Sequence, residues 1–65
     1  MNNIRQFREK KGFSQIYLAS ELNVSQQAVA KWESDEMMPR ADKLAPLAKL
    51  LECTVDELLH EDQTA

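Results

Sequence analysis

The sequence predicts an all-α fold, a compact bundle of five helices, and three observations carry that prediction. Leucine and alanine are plentiful while glycine occurs once, so helical packing must supply the stability. Apolar residues recur at three- and four-residue spacing along most of the chain, the period of an amphipathic helix. Two serines and a threonine, Ser14, Ser25 and Thr54, each stand just before such a stretch, where an oxygen can accept an orphan backbone N–H of a first turn.

Residues 3–11 form the first helix, with Asn2 or Asn3 as its cap and Gly12 as a stop that tolerates positive φ. Ile4 and Phe7 point inward, Arg8 lies on the edge of that face, and Arg5, Lys10 and Lys11 face solvent. Phe13 packs in the connection. The second helix runs from about Gln15 to Leu22 behind Ser14, with Leu18, Ala19 and Leu22 inward. Ile16 and Tyr17 fall outward and are expected to pack on a neighbouring loop. Asn23 suits the turn because its short amide tolerates the left-handed conformation. The third helix covers about Gln26 to Glu33 or Ser34, with Val29 and Trp32 inward.

Residues 34–40 are a loop, and a fourth helix follows with Leu44, Leu47, Ala48 and Leu51 on one face. Pro46 falls inside that pattern, so this helix is expected to kink there or to begin late. Thr54-Val-Asp-Glu57 fits a capping box, and Val55, Leu58 and Leu59 give a short fifth helix its apolar face. His60 reads as a weak C-terminal cation, and residues 61–65 as a frayed polar tail on a single domain of residues 1–60.

Helices two and three, joined by so short a turn, make a helix-turn-helix, and the small Ala19 and Ala28 suit its close approach. The third helix turns a polar face away from Val29 and Trp32. Gln26 and Ala30 share one line of that face, and Gln27, Lys31 and Ser34 the next. Adjacent glutamines are harmless helix formers in water, but glutamine at the start of a helix entering a major groove can pair bidentately with adenine. Gln15 sits at the start of the second helix, where the dipole and free N–H groups favour an anion such as phosphate.

Sixty-five residues bound the answer to one domain with a marginal core, contributing about 3–5 kcal/mol net. One cysteine cannot pair within the chain, and Cys53 with His60 is too small a set for zinc, so no metal or cofactor is expected. No apolar run approaches the roughly 20 residues of a membrane span and no leader precedes the domain, so a cytoplasmic protein is expected. The formal charge of −3 argues at first against a nucleic-acid partner. Its placement does not. All eight Lys and Arg lie in residues 1–51 against six acids, whereas residues 52–65 hold Glu52, Asp56, Glu57, Glu61 and Asp62 and no Lys or Arg.

In this order and at these spacings, the residues resemble the Xre-type helix-turn-helix family, which includes the lambdoid phage repressors and Cro proteins. The resemblance covers about residues 4–59. It rests on Ile4-Arg-x-Phe-Arg8, Gly12-Phe-Ser-Gln15, Leu18-Ala19, Leu22-x-Val24-Ser25, Val29-x-x-Trp-Glu33, Pro39, Leu47-Ala48 and Thr54-Val-Asp-Glu-Leu-Leu59. It implies a lambda-repressor-like five-helix fold that binds operator DNA as a two-fold dimer and controls transcription. Carried over residue by residue, Gln15 touches a phosphate and supports the first glutamine of the recognition helix, Gln26. Gln26 and Gln27 look like paired glutamines used on bases, and Lys31 reaches a base or phosphate. Arg8 and Glu33 match an ion pair that ties the first helix to the end of the third. Two departures stand out. Glu52 replaces a frequent glycine, so the turn there is expected to be strained or differently shaped. Asp35-Glu36-Met-Met38 replaces a commonly basic loop, and Arg40 after Pro39 is the residue that compensates.

The function expected is therefore a sequence-specific DNA-binding transcriptional regulator, a repressor in the manner of the family, acting on double-stranded DNA as a homodimer. Gln26 and Gln27 would read base edges with Lys31 beside them, and Gln15, Ser25 and Arg40 would fix the backbone register. The alternative is a protein-interaction module of the same fold, antitoxin-like or an anti-repressor partner. It is motivated by the acidic residues and by exposed Ile16, Tyr17, Met37 and Met38. An enzyme is not expected, because no nucleophile–base pair, carboxylate dyad or glycine-rich phosphate loop can be assembled. Cys53 reads as a small buried hydrophobe.

Overall fold

A computed structural model describes residues 2–59, and within them five helices follow one another: α1 (Ile4–Lys10), α2 (Gln15–Leu22), α3 (Gln26–Glu33), α4 (Ala41–Leu51) and α5 (Val55–Leu59). The roles expected of His60 and of residues 61–65 lie outside the described residues. One core joins all five helices. It consists of Ile4, Leu18, Ala19, Leu22, Val29, Trp32, Leu47, Ala48, Leu51 and Leu58, with Phe7, Phe13, Val24, Val55 and Leu59 packed around it half-buried. Leu44, expected inward, is only half-buried.

Local chemistry explains most boundaries. The Ser14 and Ser25 hydroxyls accept from the Tyr17 and Ala28 N–H groups at 3.0 and 3.1 Å, opening α2 and α3. At α5 the capping box closes in both directions. Glu57 N–H donates to Thr54 Oγ1 at 3.0 Å, and Thr54 N–H donates to Glu57 Oε1 at 2.9 Å. Helix α1 is capped differently. Asn3 holds the cap position but its side chain caps no N–H of α1, and it is Asn2 Oδ1 that accepts from Ile4 N–H, at 3.0 Å.

One expectation about α4 is corrected, its late start, while the strain expected at Glu52 is present. The helix does not begin late, but runs from Ala41 to Leu51 with the proline inside. Pro46 is exposed, so its ring faces solvent while Leu47, Ala48 and Leu51 bury the opposite face. That burial offsets one missing N–H bond. The turn after α4 keeps the shape glycine would give it, with the strain expected of a non-glycine residue there. Glu52 takes the left-handed conformation, φ 58° and ψ 49°, and Cys53 N–H reaches back to Ala48 O at 2.9 Å. Its carboxylate lies 2.7 Å from Lys11 Nζ, which is thereby held rather than free in solvent. A left-handed non-glycine residue costs about 1 kcal/mol, and an exposed ion pair returns less than that. Glu52→Gly is therefore expected to raise stability by roughly 0.5 kcal/mol, read from the urea midpoint at unchanged m-value. A lowered midpoint would show that the ion pair outweighs the strain.

Cys53 is half-buried beside this turn. Burial pushes its thiol above the ordinary range, and the nearby Glu57 carboxylate adds to the shift. The fold thus favours the neutral thiol. The stability this preserves is fully present below the unfolded thiol's range and is lost as pH rises through the folded one. Iodoacetamide at pH 8 is expected to label the native protein several-fold more slowly than the urea-unfolded chain, a ratio that mass spectrometry reads directly.

Ile16 corrects another expectation. Tyr17 does pack on the preceding loop, its ring 4.8 Å from that of Phe13, but Ile16 remains 64% exposed. No helix among the described residues is long and apolar enough to cross a membrane.

Candidate nucleic-acid interface

Asn23 makes the tight turn that sets α3 against α2. It adopts φ 62° and ψ 40°, and Val24 N–H bonds back to Ala19 O at 3.0 Å, so the chain reverses within three residues. Lys43 on α4 adds a second stop, donating its Nζ to the Leu22 carbonyl at 2.9 Å. Val29 and Trp32 bury one side of α3, which leaves Gln26, Gln27 and Lys31 exposed on the other.

From the buried side outward, four side chains form a relay. Arg8 on α1 and Glu33 at the end of α3 make a two-pronged ion pair: Arg8 Nε donates to Glu33 Oε2 at 2.5 Å and Nη2 to Oε1 at 3.2 Å. Arg8 Nη1 also donates to the Phe13 carbonyl at 2.8 Å, which pins the loop before α2. The guanidinium is pushed above its already high ordinary value, chiefly by the hydrogen bond to Glu33, with burial opposing. Glu33 Oε1 also accepts from Gln15 Nε2 at 3.1 Å, and Gln15 Oε1 accepts from Gln26 Nε2 over a longer 3.4 Å.

The chemistry of this relay fixes a direction. A carboxylate only accepts, so Gln15 must turn its NH₂ toward Glu33 and its carbonyl toward Gln26. Gln26 must then turn its own NH₂ toward Gln15. Its carbonyl oxygen and its second N–H remain for a ligand, which is the donor–acceptor pair that matches adenine in the major groove. Gln15 likewise keeps one N–H beyond the bond to Glu33, at the start of α2, where phosphate is favoured.

The remaining expected residues divide into two groups. Gln27 and Lys31 carry no side-chain hydrogen bond or ion pair among the described residues and lie exposed beside Gln26. Ser25 caps α3 through its oxygen and keeps its hydroxyl hydrogen as a donor. Arg40 stands apart from them at the cap of α4, exposed, with its Nε 3.6 Å from Asp42 Oδ1. In the acidic loop Asp35 has a structural position. It adopts φ 67°, its N–H bonds to Trp32 O at 3.3 Å, and its Oδ1 accepts from Asn2 Nδ2 at 2.9 Å. Sequence reading assigned Asn2 only a cap and missed this contact, because the partners lie 33 residues apart and share no periodic pattern. Glu36, Met37 and Met38 are exposed.

A helix-turn-helix family model matches residues 4–58, five helices with their connections. The chain belongs to the Xre-type helix-turn-helix family. Among members of this family, it is 37% identical over 60 residues to the HTH-type transcriptional activator BcrR of Enterococcus faecalis, covering 92% of this chain and 29% of that protein. It is 37% identical over 59 residues to repressor protein C2 of Salmonella phage P22, covering 91% and 27%. With the HTH-type transcriptional regulator AnsR of Bacillus subtilis it shares 33% over 63 residues, 97% of this chain and 54% of that one. The chain thus spans about half or less of the length of these curated relatives. Its fold superimposes on the P22 c2 repressor, solved in complex with a synthetic operator, with a TM-score of 0.83 at 37% identity, covering 91% of this chain and 89% of that one. A transcriptional regulator from Listeria innocua matches at 0.82 and 30%, covering 97% and 59%.

Proposed function

We propose that this Xre-type domain is a sequence-specific DNA-binding transcriptional regulator of the cytoplasm, acting as a homodimer with α3 in the major groove. The observation that carries the reading is the relay from Arg8 through Glu33 and Gln15 to Gln26. A surface glutamine with no task needs no second residue to set its amide, whereas a base-reading glutamine does. Gln26 and Gln27 read base edges, Lys31 reaches a base or a phosphate beside them, and Ser25, Gln15 and Arg40 hold the DNA backbone. The likeness to a repressor solved on its operator supports this assignment. An activator and a repressor both number among the relatives, so the domain supplies placement on DNA. Repression follows where its site overlaps that of the polymerase.

Selection of bound sites from random DNA, followed by salt titration on the winner, tests the proposal. Two inverted half-sites about 34–36 Å apart are expected, with log affinity falling linearly against log salt. If no DNA is bound even at low salt and high protein concentration, the protein-interaction reading takes over. The exposed Ile16, Met37 and Met38 would then be where to look for its partner.

A further inference from the structure

We infer that Asn2 is a positioning residue for the recognition helix, acting through Asp35 and the carbonyl of Trp32; this rests on the DNA-binding reading above. All three polar contacts of its amide are committed. Oδ1 accepts from Ile4 N–H at 3.0 Å, while Nδ2 donates to Trp32 O at 2.6 Å and to Asp35 Oδ1 at 2.9 Å. The first bond opens α1. The other two grip the far end of α3. Trp32 O is among the carbonyls that a helix leaves without an i+4 partner, and Asp35 is the left-handed residue that ends α3.

The grip is itself anchored. Next to Asn2, Asn3 donates its N–H to Leu58 O at 2.8 Å and its Nδ2 to Glu57 O at 2.9 Å, both on α5. The Asn2–Asn3 pair therefore ties the exit of α3 to α5 through two adjacent residues. Asp35, one of the two acids that replace a commonly basic loop, turns its carboxylate toward the start of α1.

Leverage makes the far end matter. Helix α3 has eight residues and is about 12 Å long, so a tilt of roughly 5° about its exit moves Gln26 by about 1 Å. A hydrogen bond to a base edge tolerates less displacement than that. Gln15 steadies the reading end and Arg8 the Glu33 side chain, while Asn2 holds the backbone where α3 stops.

Asn2→Asp separates gripping from capping. The new carboxylate still accepts from Ile4 N–H, but it meets the Asp35 carboxylate and the Trp32 carbonyl with no donor. Asp35→Asn suits the left-handed position and can still accept from Asn2. The N2D/D35N double variant restores a donor–acceptor pair at the wild-type net charge. The full chain is assayed on its selected site and on unrelated DNA at one salt concentration, so that the affinity ratio cancels general electrostatics. For N2D the ratio is expected to fall on the order of tenfold. For D35N it should stay within about threefold, and for the double variant most of the loss should return. Amide exchange at Asp35 and Glu36 is expected to quicken in N2D and recover in the double variant. An N2D ratio equal to wild type overturns the inference, as does a double variant no better than N2D. Unchanged exchange overturns the grip itself, whatever DNA does. A wild type that selects no site overturns the DNA reading and the positioning role with it.

Discussion

Glu33→Ala is expected to cost about 3 kcal/mol of folding stability, most of the margin a domain this small possesses. The Arg8 and Glu33 side chains are 11% and 6% exposed, so water cannot replace the lost carboxylate. A guanidinium in that position without its counter-ion is the costly species, more than the missing attraction. Urea denaturation should show a collapse of the midpoint, and circular dichroism a partly unfolded protein at 37 °C. The same substitution removes the acceptor that orients Gln15 and, through it, Gln26. Stability and reading can be separated with the apolar pair R8M/E33L, which leaves no unpaired charge. Much of the stability is expected to return, but the base preference contributed by Gln26 is not, because nothing then dictates which way the Gln15 amide faces. Two results would sink this account: Glu33→Ala within about 1 kcal/mol of wild type, or R8M/E33L with the wild-type site preference.

How far the sequence discloses the molecule depends on the distance over which each feature is written. Helices α2 and α3 were legible to the residue because their signals are local: a serine before the first turn, an apolar period, an asparagine where φ must be positive. The capping box of α5 was legible for the same reason. Pro46 was misleading about where α4 begins, because local propensity allowed a late start, while burial of Leu47, Ala48 and Leu51 on the opposite face carries the helix through it. Glu52 shows the same override, a left-handed turn imposed on a residue that does not favour it. Contacts between distant segments left no trace in periodicity. The Arg8–Glu33 pair was expected only through family resemblance, and neither Asn2 to Asp35 nor Lys43 to Leu22 was foreseen. Charge counting overlooked the structural part of the acidic loop on that account. It treats Asp35 and Glu36 alike, yet one carboxylate is engaged with Asn2 and closes α3.

Gln26→Ala and Gln27→Ala are each expected to lose about 1–3 kcal/mol of binding to the selected site, and to relax preference at different base pairs. The two differ in mechanism. Gln26 is held in one orientation by Gln15, so its loss should remove a specific adenine preference. Gln15→Ala should reproduce part of that loss at the same base pair, without touching the one that Gln27 reads. Gln27 has no such support, so Gln15→Ala and Gln27→Ala should act additively while Gln15→Ala and Gln26→Ala should not. Lys31→Ala is the control on the same face. If Lys31 meets phosphate, binding weakens evenly across sequences and the salt slope drops by about 1; if it meets a base, one further position in the profile relaxes. Neither glutamine contributes to the core, so folding stability should move by less than about 0.5 kcal/mol in either variant. Binding-site profiles of the four variants against wild type decide the matter. Should Gln15→Ala and Gln26→Ala relax different base pairs, the relay does not carry orientation from Glu33 to the DNA.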